Sequence, residues 1–185
     1  MSIQLSELNL NGTGSCGSFN FRRTARAVTR LYDQAFEQFG IRSTQFTILV
    51  GIAKTQPTSI SALAELLVID RTTLTRSLRL LKKQGLLSVS ERSRKRQRFL
   101  TLTARGLRLL AASLPAWRET QERLVQTLGA EYWTSFRNEL EKLAQIALTL
   151  EGAAVGDTRA AEQGTRGKKT LGGVEVGMIP AGRGQ

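Results

Sequence analysis

Histidine is absent from the 185-residue sequence, and cysteine occurs once, as Cys16. The missing histidine removes the commonest general base and the commonest metal ligand. A single thiol can form neither an internal disulfide nor a structural zinc site, which fits a reducing compartment. We therefore expect no metal and no other cofactor. Carboxylate chemistry remains, but the only aspartates are Asp33, Asp70 and Asp157, and no acidic motif is clustered, so we predict that the chain is not an enzyme.

Long apolar runs are also missing. No stretch approaches the length that a bilayer-spanning helix needs, and the N-terminus does not show a charged start followed by an apolar run. These absences predict a soluble, cytoplasmic protein with no membrane partner.

Basic residues, by contrast, are in excess. The chain has 27 Lys and Arg against 15 Asp and Glu, a net charge of +12, and 41% of its residues are apolar, enough for a core. Such a balance favours a polyanionic partner, and nucleic acid is the commonest one in a cell.

Apolar periodicity, capping residues and turn residues predict a mainly α-helical fold with one β-hairpin. Ser59 or Ser61 can cap the third helix, Asp70 caps the fourth, and Thr103 caps the fifth, in which Pro115 should produce a kink. The predicted segments are a flexible arm over 1–17, helices over 19–39, 43–53, a short stretch near 61–67, 71–84, 104–128 and 130–150, strands over 86–91 and 98–103, and a disordered tail over 152–185.

The fourth helix has two distinct faces. Leu74, Leu78 and Leu81 form an apolar stripe, and Thr72, Arg76, Arg79 and Lys83 lie roughly opposite. A helix that enters the major groove needs this division, because arginine can bond guanine O6 and N7 while threonine can contact a phosphate or a thymine methyl.

Positive charge is concentrated around this helix and the hairpin that follows it. Residues 71–98 contain ten Lys and Arg and one acid, Glu91, which leaves +9 of the +12 in this segment. An isolated basic helix face is usually just solvated, but a basic hairpin tip beside it favours phosphate binding. The predicted DNA contacts are Thr72, Thr73, Thr75, Arg76, Arg79 and Lys83 in the helix, and Arg94, Lys95, Arg96 and Arg98 in the hairpin.

Four stretches of the sequence resemble the MarR family of bacterial regulators. They are ISALAEL at 60–66, DRTTLTR at 70–76, LLKKQGL at 80–86 and LTARG at 102–106. The resemblance implies a winged helix-turn-helix domain over 18–151, with a DNA-binding core at 43–103 and dimerisation helices at 19–39 and 104–150. It also implies a homodimer on palindromic double-stranded DNA, and a cleft where small, often phenolic, effectors loosen DNA binding.

The hairpin tip departs from the pattern of this family. The family usually has an aspartate that orients an arginine two residues later, and that arginine enters the minor groove. In this sequence the two positions fall on Arg94 and Arg96, so a base replaces the acid. The resemblance therefore implies a wing that depends more on charge and less on fixed geometry.

Cys16 raises the hypothesis of a thiol sensor. One branch of the family senses organic hydroperoxides through a cysteine in the first helix, and Arg22 and Arg23 could favour a thiolate near that helix. Cys16 lies in a glycine-rich segment about two residues too early for that branch, so a bystander thiol is the preferred interpretation.

A protein that coats nucleic acid without reading its sequence would also be strongly basic. Its basic residues, however, would be spread over the surface. Because most of the net charge here falls within one segment, a sequence-specific regulator is the preferred interpretation.

The last predicted helix carries an apolar stripe formed by Trp133, Phe136, Leu140 and Leu143. A stripe at helical spacing predicts a core or a dimer interface.

Overall fold

The structure is a computed structural model that describes residues 4–92 and 97–162. The described helices are α1 Gly17–Phe36, α2 Ser43–Thr55, α3 Ile60–Leu67, α4 Arg71–Lys83, α5 Ala104–Leu128 and α6 Ala130–Glu162, and the strands are β1 Thr58–Ser59, β2 Leu87–Arg92 and β3 Gln97–Leu102. The predicted fold class, mainly α-helical with a winged helix-turn-helix, is confirmed.

The first two helices are joined by a short turn with a charged cap. A 3-10 turn over Glu37–Phe39 follows α1, and Gly40 then adopts a left-handed conformation with φ of 67°, which is typical of a glycine that ends a helix. Asp33 of α1 accepts a hydrogen bond from the backbone N–H of Ser43 at 2.7 Å, and it pairs with Arg42 at 3.4 Å. The first turn of α2 is thus held by a carboxylate from the preceding helix.

Side chains cap the N-termini of α3 and α4, as the sequence predicts. The Ser59 hydroxyl accepts from the N–H of Ala62 at 3.1 Å at the start of α3. The Asp70 carboxylate accepts from the N–H groups of Thr72 and Thr73 at 2.9 and 3.0 Å at the start of α4. These bonds satisfy amide donors that have no partner within their own helices.

The β-hairpin belongs to a three-stranded antiparallel sheet in the order β1-β3-β2. Strands β2 and β3 pair from Leu87 opposite Leu102 to Arg92 opposite Gln97. Strand β1 was not predicted, because it consists only of Thr58 and Ser59, which pair with Leu100 and Phe99. A strand of two residues has no periodicity that a sequence pattern could reveal.

The core is built mainly by α2, α3, α4 and the sheet. Side chains that are at most 1% exposed include Ile48, Leu49, Ile52, Leu63, Leu74, Leu81 and Leu100. Phe36 of α1 stacks on Phe46 of α2 with ring centroids 4.5 Å apart. The amphipathic helices therefore bury their apolar faces against one cluster and leave their polar faces outward.

A tight junction connects α4, the sheet and α5. The Thr103 hydroxyl donates to the carbonyl of Gly85 at 2.6 Å and accepts from the N–H of Gly106 at 3.0 Å. The Thr103 N–H donates to the carbonyl of Leu86 at 3.1 Å. Thr103 is thus the predicted cap of α5, and it also joins that helix to the turn after α4.

The last helix is longer than the sequence pattern predicts. α6 ends at Glu162, so the predicted end near residue 150 is wrong, and residues 152–162 are helical instead of belonging to the disordered tail. Residues 152–162 carry no apolar stripe at helical spacing, which is why periodicity did not reveal this part of the helix. The rest of the predicted tail, 163–185, lies outside the described residues.

The chain divides into two compact units between Glu122 and Arg123. The first unit contains α1 to α4, the sheet and most of α5, and the second contains α6. α5 is helical on both sides of Pro115. The flexibility predicted for the arm at 1–17 stays a prediction, and its described part includes short 3-10 turns at Leu5–Glu7 and Thr13–Ser15.

Replacing Gly106 by alanine should destabilise the first unit severely. A Cβ at Gly106 would lie 1.9 Å from the carbonyl oxygen of Leu86, which is backbone and cannot rotate away. We expect a loss of about 3 kcal/mol or more in the free energy of unfolding, measured by urea denaturation. Gly152→Ala is the matched control, because a Cβ there meets nothing within 4 Å; equal stability of the two variants would contradict the close approach.

Acid should weaken the turn between α1 and α2. Burial alone would raise the pKa of Asp33, but the hydrogen bond from Ser43 and the charge of Arg42 outweigh it, and the pKa lies below its ordinary value. The carboxylate therefore stabilises the fold above an unfolded pKa of about 4, and this contribution disappears as pH falls through the lower folded pKa. Asp33→Asn should reduce stability at neutral pH and flatten its acid dependence in denaturant titrations, whereas Glu65→Gln at an exposed site should do neither.

Candidate DNA-binding surface

The orientation of α4 is fixed by its leucines. Leu74 and Leu81 are fully buried, and Leu78 is 5% exposed. Because these residues occupy one stripe of the helix, the opposite stripe must face solvent. The core therefore presents one particular face of α4 outward.

Most of the predicted α4 contacts lie on that outward face. Thr72, Thr73, Arg76, Arg79 and Lys83 are exposed. Thr75 differs, because it is half-buried and its hydroxyl donates to the carbonyl of Arg71 at 2.7 Å. Arg71 and Lys82 were not among the predicted contacts, although both are exposed. Their positive charge was the only feature of the sequence that could have identified them as contacts.

The start of α4 is held by a charged cap, the carboxylate of Asp70. Hydrogen bonds from the N–H groups of Thr73 and Thr72 hold the pKa of Asp70 below its ordinary value, although desolvation opposes them. Asp70 is therefore ionised at neutral pH and fixes the first turn, on which Thr72 and Thr73 are carried. The carboxylate occupies the N–H groups of Thr72 and Thr73, so these two donors are not available to a phosphate.

The second part of the candidate surface is the basic hairpin, which is supported by the pairing of β2 and β3. The pair Arg92–Gln97 is the last paired position of β2 and β3, and the hydroxyls of Ser88 and Thr101 bond across the strands at 2.7 Å. Arg98 is exposed on β3. The predicted contacts Arg94, Lys95 and Arg96 lie outside the described residues.

Cys16 immediately precedes α1 and is exposed. Its backbone N–H donates to the carbonyl of Thr13 at 3.2 Å, and its carbonyl accepts from the N–H of Asn20 at 3.1 Å. Arg22 and Arg23 of the same helix are exposed as well. A redox role for this thiol stays a prediction.

The surface and fold have counterparts among known proteins. The sequence model of the MarR family matches residues 41–96. A crystal structure of the M. tuberculosis transcriptional regulator MosR in complex with DNA is 32% identical, with a TM-score of 0.68, and the match covers 73% of this chain and 98% of that one. This chain belongs to the MarR family.

Other MarR-type structures share the fold at lower identity. S. aureus MarR in complex with salicylate and kanamycin is 27% identical, with a TM-score of 0.61 and coverage of 75% of this chain and 95% of that one. B. bronchiseptica BpsR, whose DNA binding is regulated by 6-hydroxynicotinic acid, is 19% identical, with a TM-score of 0.62 and coverage of 78% and 99%; it shows the fold alone. No curated protein sequence matches significantly.

The family and the fold of this chain are those of DNA-binding transcriptional regulators. No helix within 4–92 and 97–162 is long and apolar enough to cross a membrane.

Arg76→Ala should weaken specific DNA binding more than nonspecific binding. Arg76 lies near the middle of the outward face, where a guanidinium that bonds a base edge is worth about 1–3 kcal/mol, or roughly 5- to 150-fold in affinity. Titrations with a selected site and with a scrambled duplex would measure both losses. Arg118→Ala on α5 is the matched control and should leave both unchanged, and equal losses on both duplexes for Arg76→Ala would contradict base reading.

Proposed function

We propose that this MarR-family protein is a homodimeric, cytoplasmic repressor that binds a palindromic operator and is released from it by a small ligand. The observation that carries the proposal is the outward face of α4. Arg76, Arg79 and Lys83 are exposed on the side opposite three buried leucines. A rigid helix with such a face has the shape and chemistry of a major-groove reader.

The two parts of the surface have different roles in recognition of DNA. α4 supplies arginines and threonines that contact base edges, and the basic segment from Arg92 to Arg98 contributes charge that contacts phosphates. Phosphate contacts give affinity that falls steeply with salt, whereas base contacts give sequence preference. Arg94→Ala should therefore weaken specific and nonspecific binding alike and reduce the salt dependence.

The apolar surface of α6 supports the homodimer. Leu140, Leu143, Ile146 and Leu150 are between 36% and 65% exposed, so the single chain leaves an apolar helix in water. Large exposed apolar surfaces mark interaction sites. In the first unit, Phe19 and Phe21 of α1 are also about half exposed, at 54% and 46%. A second copy that covers these residues would also present two copies of α4 to one palindrome.

Leu143→Glu should weaken the dimer at least about tenfold, because it places a charge within the apolar stripe of α6. Sedimentation equilibrium would measure the dissociation constant, and binding to a palindromic duplex should weaken with it. Gln145→Glu adds the same charge on another side of the helix and should leave the dimer intact. A Leu143→Glu protein that remains fully dimeric would contradict this interface.

Repression requires fewer molecular contacts than activation does. A bound dimer excludes RNA polymerase from overlapping DNA by occupancy alone, whereas activation needs a further productive contact. In transcription assays with an operator placed over a promoter, we expect the protein to lower transcript yield. An increase in yield would favour an activator.

Selection from random duplex DNA tests the proposed function. A dimer with two copies of α4 should enrich a palindrome whose half-sites lie about one helical turn, or 10 base pairs, apart. Enrichment without any sequence preference, lost at moderate salt, would show an electrostatic coat and would overturn the proposal.

A further inference from the structure

Leu80 differs from the other leucines of α4. The other three are buried in the core of the first unit, whereas Leu80 is 50% exposed. The apolar stripe that anchors α4 is complete without it, because Leu80 lies outside the core cluster and outside the partly buried residues that pack against that cluster. Core packing therefore does not account for a large apolar side chain at this position, where half of its surface stays in water.

Two exposed cations flank Leu80 on the outward face of α4. Arg76 precedes it by four residues and Lys83 follows it by three, and these spacings make side chains neighbours on a helix surface. Within residues 4–92 and 97–162, neither cation has an ion pair or a side-chain hydrogen bond with the protein. The leucine is therefore an apolar patch between two charges that are available to a partner.

These charges decide which kind of partner can cover the leucine. An apolar protein surface would have to remove Arg76 and Lys83 from water together with Leu80, and desolvation of two cations costs more than burial of one leucine returns. A DNA duplex instead brings phosphates, which neutralise cations as they approach. The occupant that fits is therefore the DNA of the proposed function, on which this inference rests.

The major groove offers few apolar groups to a leucine. The edges of the base pairs there are hydrogen-bond donors and acceptors, except for the C5 methyl group of thymine. Four residues of α-helix rise about 6 Å, and base pairs are about 3.4 Å apart along the duplex. A helix that lies along the groove would therefore place Leu80 about two base pairs from the base that Arg76 bonds.

We propose that Leu80 determines specificity by packing against the methyl group of one thymine in each half-site, about two base pairs from the guanine that Arg76 bonds. This contact removes apolar surface of both partners from water, and it favours thymine over cytosine, which lacks the methyl group. It releases no counterions, so the preference should not depend on salt, unlike the phosphate contacts of the hairpin.

Replacement of thymine by uracil tests the contact, because uracil pairs with adenine in the same way and lacks only the methyl group. Each thymine of the selected palindrome would be replaced in both half-sites, and affinity would be measured by titration at two salt concentrations. We expect one position at which the replacement weakens binding to the wild type by about fourfold per half-site, the effect of one methyl group removed from water. The loss should be the same at both salt concentrations.

Variants of Leu80 assign the effect to this side chain. Leu80→Ala should bind the thymine and uracil duplexes almost equally, whereas Leu80→Met keeps an apolar side chain and should retain most of the preference. Leu107→Ala is the matched control, because Leu107 is similarly exposed, at 47%, but belongs to α5; it should keep the full preference. Thermal melting of each variant checks the fold, which truncation of an exposed side chain should not disturb.

Uracil that is tolerated at every position would overturn the inference. So would an equal uracil effect in the wild type and in Leu80→Ala, because the methyl group would then contact another residue, such as Thr73 on the same face. A uracil effect that is lost in Leu80→Ala and kept in Leu107→Ala would support the inference. Failure of the proposed function would look different: selection would yield no preferred sequence, and the inference would fall with it.

Discussion

Burial of one leucine stripe decides which side of α4 meets solvent, and the proposed recognition of DNA depends on it. Leu74, Leu78 and Leu81 lie in the same core as Leu49, Ile52 and Leu63. Rotating α4 would expose these leucines and bury arginines, at a cost of several kcal/mol for each buried charge. The outward position of Arg76, Arg79 and Lys83 is therefore a consequence of core packing. Asp70 at its N-terminus and the left-handed Gly85 just after its C-terminus set only where the helix begins and ends.

The junction at Thr103 extends this constraint to the rest of the first unit. One hydroxyl bonds both the turn after α4 and the start of α5, and Gly106 lets the two backbones come within a distance that no side chain permits. The end of α4 and the start of α5 are therefore bonded together at this junction.

Much of this architecture could be predicted from the sequence because it depends on local signals. Capping residues, turn glycines and periods of 3.6 residues located α1 to α5 and the hairpin within about three residues. Signals that are tertiary or very short were lost: β1 exists only through the pairing of Thr58 and Ser59 with β3. The continuation of α6 to Glu162 was missed for another reason, since this part of the helix has no apolar stripe that periodicity could reveal.

The same distinction applies to the candidate site. The wheel pattern of α4 identified the exposed basic face, but it could not show that the Thr75 hydroxyl donates to Arg71.

The most direct test of the central claim removes the guanine atom that Arg76 of α4 is proposed to bond. Each guanine of the selected half-site would be replaced by 7-deazaguanine, which lacks the N7 acceptor in the major groove, and affinity would be measured for the wild type and for Arg76→Ala. The account predicts at least one position where the replacement weakens the wild type about tenfold and hardly affects Arg76→Ala. Losses of equal size in both proteins at every position would show that Arg76 does not read guanine, and would contradict the account.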